Sequence, residues 1–132
     1  MVGSGCYVRV SKPASAVNMR VTSGCGLSVA VGGFADKVLE DGGWVDIAIE
    51  YPSSNTSLTG SVNFLSNTIS SLTLSEASAT IHSRTSAISA AIDYYGILNI
   101  DRGGRVTDIT INSSGIVKIS ATGMVSNVVV NN

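Results

Sequence analysis

The sequence is short of charge and short of rings. Of 132 residues, 13% are charged and 5% are aromatic. An ordinary globular domain carries about a quarter charged residues. Phosphate recognition needs clustered Lys and Arg, so this scarcity excludes a nucleic-acid binder. It also excludes the charge-rich kind of disorder. The formal net charge of −1 implies neither a polyanionic partner nor an acidic membrane surface. Cys6 and Cys25 are the two cysteines, too few for a disulfide-dense scaffold and wrongly spaced for zinc. No apolar run approaches the roughly 18 residues of a membrane helix, so no membrane insertion is expected. The opening MVGSGCYVRV has no basic segment followed by an apolar one, so no signal peptide is expected there. What remains is 14 glycines, many Ser, Thr and Asn, and a core supply of Val, Ile, Leu and Ala.

These residues recur at a fixed offset. Gly5-Cys6-Tyr7-Val8-Arg9-Val10 aligns with Gly24-Cys25-Gly26-Leu27-Ser28-Val29, 19 positions on. Gly96-Ile97-Leu98-Asn99-Ile100 aligns with Gly115-Ile116-Val117-Lys118-Ile119 at the same offset. So does the run from Gly104 to Ile111 with the run from Gly123 to Val130. Apolar-x-apolar pairs mark each unit: Val8/Val10, Leu27/Val29, Val45/Ile47, Val62/Phe64, Ala79/Ile81, Leu98/Ile100 and Val117/Ile119. Such pairs have the period of a strand, and no segment holds a 3.6-residue period over a helical length. A unit of two or three tiny strands buries its apolar face only by stacking on a copy of itself. The expected fold is therefore all-β: a parallel β-helix of about seven coils of 17–19 residues. It forms a single β-solenoid domain over 1–132, with regular coils at about 5–50 and 96–132 and degenerate Ser/Thr-rich coils at about 51–95. A β-sandwich is the competing fold, but it has no need of one recurring offset. Glycines at Gly33, Gly96, Gly104, Gly115 and Gly123 are read as turn positions that need φ > 0.

Two stretches carry a resemblance. Gly32-Gly33-Phe34-Ala35-Asp36-Lys37-Val38 is followed by Asp41-Gly42-Gly43-Trp44-Val45-Asp46-Ile47. Gly103-Gly104-Arg105-Val106-Thr107-Asp108-Ile109 is followed by Asn112-Ser113-Ser114-Gly115. They resemble the AIDA-type repeat of bacterial autotransporter adhesin passengers, Gly-Gly-x-Ala-x-Asn/Asp-x-x-Val then Ser-Gly-Gly-x-Val-x-Val. The match runs from about 14 to 49 and from 96 to 132. The resemblance implies a right-handed β-helix, a secreted or cell-surface location, and a role in adhesion and self-association. It also implies O-glycosylation, with Ser23, Ser113 and Ser114 as candidate serines.

Individual residues add candidates. Cys6 and Cys25 take one slot in adjacent coils, as stacked buried thiols or as a disulfide. Asp93, Asn112 and Asn131 are 19 apart, as are Asp108 and Asn127, which suits side-chain ladders up the stack. Phe34, Trp44, Tyr51, Tyr94 and Tyr95 sit at turns or beside Gly, as corner covers or as a contact surface for protein or glycan. His82 follows an inward Ile81, so alternation points it to solvent. No catalytic, cofactor or metal residue is assigned, because neither metal-ligand spacing nor a phosphate loop is present. The functional expectation is a non-catalytic structural or adhesive module. Its partners would be itself, end to end or side by side, or a host-surface glycan. A polysaccharide-acting or glycan-binding β-helix of the tailspike or lyase type is the alternative, with Asp46, Glu50, Asp101 and Arg102 as its modest candidates. A filament subunit that stacks end to end is a third.

Overall fold

The computed structural model describes residues 5–47, 49–50, 58–120 and 122–131. Among them every regular element is a strand, and parallel strands stack as a β-solenoid of six coils. Coil 1 holds β1 (Tyr7–Val10), β2 (Ser15–Val17) and β3 (Arg20–Thr22). Coil 2 holds β4 (Gly26–Val29) and β5 (Phe34–Asp41). Coil 3 opens with β6 (Trp44–Ile47) and leaves the stack through an antiparallel pair, β7 (Ile49–Glu50) and β8 (Leu58–Thr59). It returns as β9 (Ser61–Phe64), β10 (Asn67–Ser70) and β11 (Thr73–Leu74). Coil 4 is β12 (Ser78–Ile81) and β13 (Thr85–Ile92). Coil 5 is β14 (Ile97–Ile100) and β15 (Arg105–Ile111), and coil 6 is β16 (Ile116–Ile119) and β17 (Met124–Val130).

The offset of 19 is the register itself. Val8 pairs with Leu27, Leu98 with Val117, and Val106 with Val125. Each inward apolar side chain therefore lies on its equivalent in the next coil. The long strands bend rather than run straight. Lys37, Ser89, Asp108 and Asn127 take φ between 54° and 60°, one per coil, and each bend carries its strand onto another side of the coil. The bend also shifts the inward phase by one residue, so Ala35, Val38 and Glu40 all face the interior.

Two expectations need correction. There are six coils, because Val62/Phe64 do not stack between Val45/Ile47 and Ala79/Ile81. Instead β9 pairs with β5, setting Val62 beside Ala35 and Phe64 beside Val38. The antiparallel pair β7 and β8 stands between β6 and β9, where the even spacing suggested a further coil. The five glycines read as positive-φ turns are not such positions. A Cβ at Gly33 would lie 2.5 Å from the Val10 carbonyl oxygen, and one at Gly123 would lie 2.7 Å from that of Ile100. Gly96, Gly104 and Gly115 face the Leu74, Ile81 and Ile92 carbonyls in the same way. What these slots require is the missing Cβ, where one coil's turn presses on the backbone of the coil before it.

The core is in two parts. Val10, Val21, Leu27, Val29, Val38, Val45 and Phe64 fill coils 1–3. Ile69 and Leu74 of coil 3, with Ile81, Ile92, Leu98, Ile100 and Ile109 of coils 4 and 5, form the second part, so the core divides within coil 3. At coil 6 the inward slots open to solvent. Ile119 is 56% exposed and Val128 51%, where Ile100 and Ile109 one coil earlier are fully buried.

Candidate functional site

On its first side the solenoid has a seam between coils 3 and 4. The first side of the solenoid is two three-stranded sheets, β1-β4-β6 and β12-β14-β16. Between β6 and β12 the Thr80 amide donates to the Gly43 carbonyl at 3.0 Å. Within the half-stacks the amide after each first strand donates to the preceding coil, as Asp101 N–H does to Ile81 O at 2.8 Å. At the seam the His82 amide finds Glu40 Oε1 at 2.8 Å instead, a side chain from coil 2.

Glu40 is fully buried, and its carboxylate is the node of the seam. Oε2 accepts from the Thr80 hydroxyl at 2.6 Å and lies 2.9 Å from His82 Nδ1. Thr80 Oγ1 in turn accepts the Val45 amide at 2.7 Å, which ties β12 to β6. The other His82 nitrogen, Nε2, lies 3.2 Å from Asp101 Oδ2. The ring thus lies within hydrogen-bond reach of both carboxylates, one at each nitrogen. Its flat face stacks on Phe64 at 4.6 Å between centroids. Burying a carboxylate is costly unless hydrogen bonds replace its water, and here three donors do so.

His82 is thus buried, against the expectation that it points to solvent. The ring turns in between Glu40 and the Phe64 ring. Glu40 went unnoticed in the sequence. Its equivalents in the bent strands are Val21, Ile92, Ile111 and Val130, so a charge in an apolar slot was the available signal. Thr85 stands in the same slot as Gly104, since Ser86 pairs with Arg105. It is buried, and its hydroxyl has no hydrogen-bond partner among the described residues. Thr85→Val keeps the shape and removes the stranded hydroxyl, so stability in urea should rise by about 1 kcal/mol.

Outside the seam lies an open groove of about 390 Å³, lined by Trp44, Asp46, Ser78, Asn99 and Asp101 among others. Trp44 also bounds a second groove, of about 510 Å³, with Glu76 and Tyr95. Asp46, Asp101 and Arg102 meet at a third, of about 380 Å³. The indole lies across Gly26, leaving no room for a Cβ there, and its ring centroid is 5.6 Å from that of Tyr7. Tyr95 packs edge to face with Tyr94 at 4.6 Å, and both are exposed. Phe34 is exposed on β5, apart from this aromatic edge. Tyr51 and the Glu50 side chain lie outside the described residues.

The remaining candidates are dispersed. Cys6 is exposed and Cys25 buried, on neighbouring coils, and Cys25 Sγ lies 3.6 Å from Thr22 Oγ1. Asn131 donates to Asn112 at 2.8 Å, Asn112 donates to Asp93, and Asn127 donates to Asp108 at 2.7 Å. Ser23, Ser113 and Ser114 are exposed at corners. Among the described residues no three metal-ligating side chains gather. No helix is long and apolar enough to cross a membrane.

No protein-family model matches the sequence, and no curated protein matches it. Among solved structures, it is similar to the crystal structure of a TibC-catalysed hyper-glycosylated TibA55-350 fragment. The identity is 18% and the TM-score 0.39, over 98% of this chain and 61% of that one. The chain therefore spans less than two thirds of that fragment's length.

Proposed function

We propose that this chain is a non-catalytic structural and adhesive β-solenoid module that works outside the cell, on a bacterial surface. The observation that carries the reading is the aromatic edge. Tyr7, Trp44, Tyr94 and Tyr95 stand along one corner of a stacked ladder, Tyr7, Tyr94 and Tyr95 a little over half exposed. Exposed rings on a rigid backbone lose little entropy on contact and suit docking to sugar or protein. The resemblance of residues 14–49 and 96–132 to AIDA-type adhesin repeats supports the same role and location. The exposed serines Ser23, Ser113 and Ser114 are accessible to glycosylation. Beads coated with the chain should bind epithelial cells, and the double variant Tyr94→Ala/Tyr95→Ala should lower that binding several-fold. Wild-type beads that bind no better than albumin-coated ones would refute the adhesive role.

A second reading, a polysaccharide-acting β-helix, is favoured by one observation: Asp46 and Asp101 line the same groove. Carboxylate pairs across a sugar cleft perform glycoside hydrolysis. Release of reducing ends from a polysaccharide would support it over the adhesive reading.

A further inference from the structure

We propose that the groove along the seam is a binding site for a neutral, hydroxyl-rich sugar unit. The inference rests on the adhesive reading and names one contact such a module would make. A sugar ring has an apolar C–H face and a rim of hydroxyls, and the groove offers a complement to each. Trp44 supplies a ring held in place, backed by the Gly26 backbone and by Tyr7. Asp46 and Asp101 supply carboxylate acceptors for hydroxyl donors, and Asn99 supplies an amide that both donates and accepts. The volume of about 390 Å³ lies in the range of small-ligand sites.

The site is ordered before a ligand arrives. Asp101 is held by His82 at 3.2 Å and by the Ser120 hydroxyl at 3.2 Å. His82 is itself fixed by Glu40 and by the Phe64 ring. The buried seam thus sets the position of an exposed carboxylate, and a preordered group costs less on binding. The polarity selects the class. Among the described residues no Lys or Arg lines this groove, and Arg102 stands with the two carboxylates only in the neighbouring one, so the lining is acidic and disfavours an anionic sugar. The Asn99 amide and the hydroxyl of Ser78 each donate as well as accept, which matches the double character of sugar hydroxyls.

Trp44 is the single tryptophan of the sequence, so its fluorescence reports on this groove and on the adjoining one it also bounds, and Asp46, which lines only the first of the two, tells them apart. The test titrates the whole chain with neutral gluco-, galacto- and manno-tetraoses and follows the emission. At least one should give a saturable change. Asp46→Ala, an exposed position, should weaken that affinity at least tenfold while leaving the melting temperature unchanged. Phe34→Ala, away from the groove, should leave affinity intact. No saturable change with any tetraose, or equal affinity in Asp46→Ala, overturns the proposal. So does a response confined to a chitosan tetraose, which is cationic. A failed titration with cell binding intact overturns the groove alone. A saturable titration without cell binding overturns only the adhesive reading.

Discussion

Glu40→Ala should lower the unfolding free energy by about 3–5 kcal/mol, the cost of breaking a buried, hydrogen-bonded charge network. The variant strands three groups at once: the Thr80 hydroxyl, the His82 amide and His82 Nδ1. Each buried polar group left without a partner costs about 1–3 kcal/mol, and Thr80 also positions the Val45 amide. On this side of the coil β6 and β12 belong to separate sheets, so the Glu40 network is what joins them here, while β10 and β11 pair with β13 on the other side. Urea denaturation followed by circular dichroism gives the value. Glu40→Gln, which keeps the volume but turns one acceptor into a donor, should fall between wild type and Glu40→Ala. If Glu40→Ala melts like wild type, the carboxylate does not join the halves.

Gly104→Ala is expected to cost about 1–3 kcal/mol, a large penalty for one methyl group. The added Cβ would overlap the Ile81 carbonyl oxygen of coil 4 and press on the Ile81 side chain. That carbonyl already accepts the Asp101 amide, so it cannot turn away freely. Gly5→Ala is the contrast. Gly5 has φ of +74° and open space around its missing Cβ, so only backbone strain opposes alanine there. The paired shift in urea midpoint should be larger at Gly104. A larger loss at Gly5 would mean that φ, rather than coil-to-coil contact, sets the glycine pattern.

The parts of the fold that could be read in advance are those where the 19-residue copy is faithful. Six of the seven apolar pairs occupy the first strand of a coil, and the ladders at Asn112 and Asn127 fall at the offset seen in the sequence. Val62/Phe64 misled because apolar alternation states that a strand exists and is silent on which strand it joins. The steps of 17 on either side of it in the sequence imitate a coil that the chain does not form. Glu40 was hidden by the bend at Lys37, whose positive φ no glycine announces. Strict alternation beyond Lys37 gives the wrong inward phase, and only comparison with Val21 and Ile111 restores it. His82 turns inward for a reason no local pattern contains, since the groups that hold it, Glu40 and Phe64, lie 42 and 18 residues earlier.

A nuclear Overhauser spectrum of the uniformly labelled chain tests the six-coil stack most directly. The amide of Thr80 should lie within reach of Gly43 and Trp44, the Phe64 ring should contact the His82 ring, and Val62 should contact Ala35. Contacts that place Val62 between Val45 and Ala79 would restore a seventh coil and dissolve the seam.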